Sequence, residues 1–140
     1  MANAIYPKWK SALIQGSADS DLDGTGSTGV WAALYDVGAG GAYDAADEFY
    51  SDLSAGIVGT PVEIGATKSY TSGIFDGADV TWTSVSGAVS EAIVIYRKNG
   101  GADTTWRLVA YLDTNVTGLP VTPNGGNITV TWNASGIFAL

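Results

Sequence analysis

The segment Asp19-Ser20-Asp21-Leu22-Asp23-Gly24 sets three carboxylates at alternate positions ahead of a glycine. That spacing matches the first half of a calcium loop, where oxygen ligands at positions 1, 3 and 5 precede a sharp turn at position 6. The second half does not follow, because Val30 falls at position 12, where a bidentate Glu belongs. The sequence therefore favours an acidic turn whose aspartates cap nearby backbone groups. A weakly held, hydrated cation at Asp19, Asp21 and Asp23 is the lesser reading, and no metal ligand is assigned.

Paired carboxylates could in principle hydrolyse a glycoside. The candidates Glu63, Glu91, Asp76 and Asp79 fall on expected strands or turns, and nothing in their surroundings marks a buried partner. They read as surface charge. Glu48 and Asp52 stand four residues apart on an expected short helix, and like charges at that spacing point to a solvated face. The chain contains no His and no Cys. Zinc fingers, thiol catalysis, Ser-His-Asp triads, disulfide scaffolds and haem or copper sites all need one or the other. No catalytic residue, no cofactor-binding residue and no metal ligand is expected, so the chain is not expected to be an enzyme.

Aromatic faces can stack on sugars, and the chain has five Trp and seven Tyr. Trp82 and Trp132 sit at inward positions of alternating strands, where packing in a core is the ordinary use. Trp9, Trp31 and Trp106 are divided evenly between core and interface, since aromatics are enriched where proteins meet. Three glycosylation sequons, at Asn115, Asn127 and Asn133, read as chance, because Asn and Thr are the usual wet-face residues of a strand.

The elements that must position these side chains are mostly strands. Val, Ile and Thr together make a quarter of the 140 residues, and 19 glycines supply turns. Ile128–Trp132 and Val80–Thr83 alternate apolar and hydroxyl side chains, as half-buried strands do. A further strand is expected at Ile137–Leu140, after the turn at Asn133–Gly136. Val30–Tyr35, Ala92–Tyr96 and Leu108–Leu112 are apolar on both faces, so both faces should be covered, by a short helix or by a neighbouring molecule. Arg97–Gly101 reads as a charged hairpin tip. Pro61–Ile64 and Thr67–Tyr70 read as short edge elements.

Two helices are expected. Asp44–Leu53 has a capping Asp, acids in its first turn and Phe49 and Leu53 on one face. Pro7–Ile14 has Pro at its first position, Trp9 and Leu13 on one face, and Gly16 as its stop. Gly38–Ala42 reads as a flexible loop. The predicted fold class is all-β: an antiparallel β-sandwich or jelly-roll-like domain with one or two short helices. Residues 1–16 are expected to form an N-terminal arm with a short helix that docks on something, and residues 17–140 a single β-sandwich domain.

The net charge of −8 argues against nucleic-acid binding, which needs a Lys/Arg stripe to neutralise phosphates. Lys8, Lys10 and Ser11 interrupt the apolar start, so no secretory leader is expected. No run approaches the ~18 apolar residues of a membrane span.

Several stretches carry a family likeness. They are Met1-Ala2-Asn3-Ala4-Ile5-Tyr6-Pro7-Lys8, then Glu91–Tyr96, Arg107–Thr114, Gly118-Leu119-Pro120-Val121-Thr122-Pro123-Asn124-Gly125-Gly126 and Ile128–Trp132. Together the chain resembles a family of small virion structural proteins of tailed bacteriophages, with the Leu119–Gly126 stretch as the most specific part. The resemblance implies a component of the assembled particle, and above all a capsid decoration (cement) protein. Its partners would be the major capsid protein and neighbouring copies of itself in a homo-oligomer, with no nucleic acid and no membrane. Its place would be the capsid surface, after synthesis in the host bacterial cytoplasm. A tail or head-fibre protein and a carbohydrate-binding β-sandwich module are the alternatives.

Overall fold

The computed structural model describes residues 3–140. Met1 and Ala2, where the expected arm begins, lie outside the described residues. The chain is β-rich and antiparallel, in three separate open sheets. The largest has five strands in the order β1 (Ala4–Ile5), β8 (Arg107–Leu112), β7 (Ala92–Arg97), β2 (Val30–Tyr35), β3 (Ile57–Glu63). A three-stranded sheet runs β10 (Phe138–Ala139), β5 (Ile74–Gly77), β4 (Lys68–Ser69). A two-stranded ribbon pairs β6 (Val80–Trp82) with β9 (Ile128–Val130), setting Thr81 against Thr129 on the wet face.

The three doubly apolar strands lie side by side at the centre of the large sheet. All of β7 is buried, as are all of β2 except Trp31 and all of β8 except Arg107. Their cover comes from this chain alone. One contiguous core joins them to Tyr6, Trp9, Leu53, Phe75, Trp82 and Trp132. No neighbouring molecule is needed to hide these strands.

The edge strand β3 absorbs a bulge opposite Ala32 and Leu34. Gly59 within it holds φ at +68°, a left-handed value that glycine adopts at little cost. Pro61 lies in the same bulged edge, where a missing N–H is tolerated. The Pro120–Gly126 stretch is held at both ends: Val121 and Ser90 exchange backbone hydrogen bonds of 2.9 and 3.0 Å, and Val85 does so with Gly125 and Gly126.

Three expectations are corrected. First, the N-terminal segment is built into the domain and is not an arm beside it. β1 pairs with β8, Tyr6 donates from its backbone N–H to Val109 O at 2.9 Å, and Tyr6 and Trp9 are among the most buried side chains. The helix itself forms as α1 (Pro7–Ile14), with Pro at its start and Gly16 at φ +63° after it.

Second, residues 44–53 do not form one helix. Asp44 closes a local turn by accepting from Ala46 N at 2.8 Å. Residues 48–50 then run extended beside the start of β8, through Leu108 N to Glu48 O and Tyr50 N to Trp106 O. Only at Tyr50–Gly56 does a 3₁₀ turn begin. The long-range pairing overrides a weak local helix preference.

Third, Gly38–Ala42 is not a free loop. It begins within a short helical turn, α2 (Val37–Gly40), capped by the Asp36 carboxylate, which accepts from Gly38 N at 2.7 Å. Gly40 and Gly56 press against the Tyr35 ring, and a Cβ on Gly40 would stand only 2.7 Å from Gly56 Cα. The glycines serve close approach here.

Candidate functional site

The acidic turn closes onto the end of β7. Arg97, only 6% exposed, sends its guanidinium to Asp21 Oδ1 at 2.5 Å and Asp19 Oδ1 at 3.3 Å. It also donates to the backbone carbonyls of Asp21 (2.9 Å) and Lys98 (2.6 Å). Arg97 is therefore not the tip of a hairpin in water but the cation that gathers the turn. Burial works against ionisation of Asp21, yet the hydrogen bonds and charge of Arg97 hold its carboxyl below the usual range. Among the described residues, no group of three or more carboxylates is arranged to hold a metal ion. The cation that Asp19 and Asp21 meet is Arg97.

The candidate hydrolytic carboxylates are each tied to a different backbone amide. Each accepts from the backbone: Glu63 from Gly26 N at 2.6 Å, Glu91 from Val37 N at 3.0 Å, Asp79 from Trp132 N at 2.9 Å and Asp76 from Gly77 N at 2.9 Å. They anchor loops, which surface charge alone would not do. Asp52 is exposed, as expected, and Glu48 is half-buried, and both carboxylates are engaged. Glu48 pairs with Lys8 at 3.2 Å and Arg107 at 3.1 Å. Asp52 accepts from Phe49 N and Glu48 N, each at 2.9 Å, and these bonds hold its carboxyl below the usual range.

The tryptophans divide. Trp9, Trp82 and Trp132 are buried, and Trp9 donates from Nε1 to Ser20 O at 2.8 Å. Trp31 and Trp106, far apart in sequence, meet around one lysine: Lys98 Nζ stands 3.6 Å from the Trp31 ring centre and 4.5 Å from that of Trp106. Trp106 stacks in turn on Tyr96 at 5.8 Å. Lys98 sits on the ring faces that a sugar would use, and burial lowers its pKa against the opposing pull of Glu63.

The most exposed apolar surface lies where α1 meets the end of the chain. Ile14 is 86% exposed, Leu140 63% and Tyr70 47%. Two hollows adjoin there and share Leu13 and Leu140. One, of about 350 Å³, is lined by Ile5, Lys10, Leu13, Ile14, Ala139 and Leu140. The other, of about 220 Å³, is floored by Trp9, Ile74, Phe75 and Phe138, with Leu22, Tyr70 and Asp21 at its walls. Together they make a continuous apolar strip. The expected docking arm, residues 1–16, covers the α1 side of this strip but not Tyr70 or Leu140. The signal was present: Ile14 lies off the helix stripe of Trp9 and Leu13, on a side with nothing to bury it.

No protein-family model matches the chain, and no curated protein matches it. Among the described residues, no helix is long and apolar enough to cross a membrane.

Proposed function

We propose that this chain is a structural component of a tailed-bacteriophage virion, a capsid decoration (cement) protein that works by contact. The observation that carries this reading is the exposed apolar strip at Ile14, Leu140 and Tyr70. Contiguous apolar surface of this kind on an otherwise polar protein marks a place where subunits meet. The resemblance to phage virion proteins carried by residues 1–8 and by stretches between 91 and 132 suggests the setting. The doubly apolar central strands offer no contact area, since the chain covers them itself. The net charge of −8 would keep unassembled copies apart and limit sticking to packaged DNA.

In this reading the large sheet is one layer of a sandwich, and the two smaller sheets are parts of the other. Val80 and Trp82 of β6 and Phe75 of β5 share a core with β7 and β8, which supports that layering. Partners are the major capsid protein and neighbouring copies. Many copies, each held weakly, would tie shell subunits together through avidity.

The test is quantitative protein analysis of purified particles, followed by binding of purified protein to undecorated shells. Stoichiometry comparable to the shell protein is expected, with occupancy lost on Ile14→Asp or Leu140→Asp. A chain absent from particles overturns the reading. A handful of copies per particle moves it to the tail or a fibre.

A further inference from the structure

The apolar strip has a charged residue of opposite sign at each end. At the α1 end stands Lys10, which is exposed. The other basic side chains are engaged: Lys8 and Arg107 with Glu48, Arg97 with Asp19 and Asp21, Lys68 with the Gly24 carbonyl, and Lys98 over its two tryptophans. Lys10 alone among these six has neither an ion pair nor a hydrogen bond nor a ring beneath it in the described residues. In a chain with 14 acidic side chains, this free cation lies beside the most exposed apolar residue.

At the far end are Asp21 and Asp23. The Asp21 side chain is 58% exposed, with its buried Arg97 partner behind it. The Tyr70 hydroxyl donates to Leu22 O at 3.1 Å, which sets the flanking Asp21 and Asp23 beside the Tyr70 side of the hollow. The shape runs the same way as the charge. Ile14 projects at the basic end, and the hollow floored by Trp9, Phe75 and Phe138 opens at the acidic end.

We propose that two copies of this chain pair about a two-fold axis through this strip, with Ile14 of each seated in the hollow of the other and Lys10 facing Asp23. A strip with a protrusion and a cation at one end, and an apolar hollow and an anion at the other, is complementary to its own two-fold image, and the hollow beside Ile14 and Lys10 lies along the same seam. Every contact then occurs twice. Apolar residues fill the centre and charges form the rim, as at known interfaces, and the opposed charges set the register. This rests on the contact-making reading above and names a second copy as the occupant of the strip.

The experiment is sedimentation of the purified full chain over a concentration series, without particles. Wild type is expected to pass from single to paired chains. Ile14→Asp and Lys10→Glu should each weaken pairing by ~10-fold or more. The exchange Lys10→Glu with Asp23→Lys should restore most of what Lys10→Glu alone loses. Ile14, Lys10 and Asp23 are all exposed, so circular dichroism should show each variant folded. A wild-type chain that stays single throughout overturns the proposal, as does pairing indifferent to Ile14→Asp or a charge exchange that fails to restore it. Shell occupancy is read separately. Single chains that still coat shells overturn only the pairing, and paired chains absent from particles overturn only the virion reading.

Discussion

The Arg97 guanidinium holds the Asp21 carboxylate at 2.5 Å across 76 residues of sequence, from a position almost sealed from water. It ties the segment that leaves α1 to the end of a central strand. The same group bonds two backbone carbonyls, so Arg97 closes several interactions that no other side chain there supplies.

Removing Arg97 should be costly. In Arg97→Met the carbonyls of Asp21 and Lys98 lose their donor, and Asp19 and Asp21 lose their counter-charge. The carboxylates are about half exposed, so water screens part of the loss. A destabilisation of about 2–3 kcal/mol is expected, read as a lower urea midpoint at neutral pH.

The same pair sets a pH dependence. The folded-state pKa of Asp21 is depressed, so its stabilisation is present in full above the usual carboxylate value of 3.8. It is lost as the pH falls through the lower folded value. Urea midpoints measured from neutral pH downward should decline in that window for wild type and decline less for Arg97→Met. Equal slopes in the two proteins would contradict this linkage.

Asp47 behaves in the opposite sense. Burial, followed by the charges of Asp44 and Asp52, raises its pKa, so ionising it costs the fold stability as the pH rises through the raised value. Asp47→Asn should stabilise modestly at neutral pH, by about 0.5 kcal/mol once screening is allowed for. The gain should vanish in acid, where the wild-type carboxyl is already neutral.

Gly40 and Gly56 sit where a side chain has no room. Gly56→Ala would set a Cβ 2.8 Å from Asp36 O and against the Tyr35 ring, and a loss of about 1–3 kcal/mol in thermal unfolding is expected. Tyr35→Phe is the control. The Tyr35 hydroxyl is buried without a hydrogen-bond partner, so removing it should be neutral or slightly stabilising.

Deleting residues 2–14 should abolish the folded domain. It strips β1 from the edge of the large sheet and takes Tyr6 and Trp9 out of the core. Trp9→Ala alone should cost about 3–5 kcal/mol. Near-ultraviolet circular dichroism, which reads the packing of the remaining tryptophans, should flatten in the truncated chain.

Much of the strand content was legible before folding was considered. Val80–Trp82 and Ile128–Val130 announce themselves by alternation, and the central strands by apolar residues on both faces. The candidate site was less legible. The strip draws on the outer side of α1 and on the last residues of the chain, which are neighbours only because β1 and β10 edge their sheets nearby. The expected helix at Asp44–Leu53 failed for a related reason: its first half found better hydrogen bonds beside β8 than within itself.

Local spacing by itself determined where the chain extends, where α1 starts and stops, and which side chains must leave water. These follow from the two-residue and 3.6-residue periods of the backbone, which need no knowledge of distant segments. Tertiary structure alone decided what each charge and each uncommitted aromatic would meet. Asp21 found Arg97, Lys98 found Trp31 and Trp106, and Ile14 stayed 86% exposed. Such meetings depend on strand order and register, which bring together residues that the linear pattern leaves unrelated.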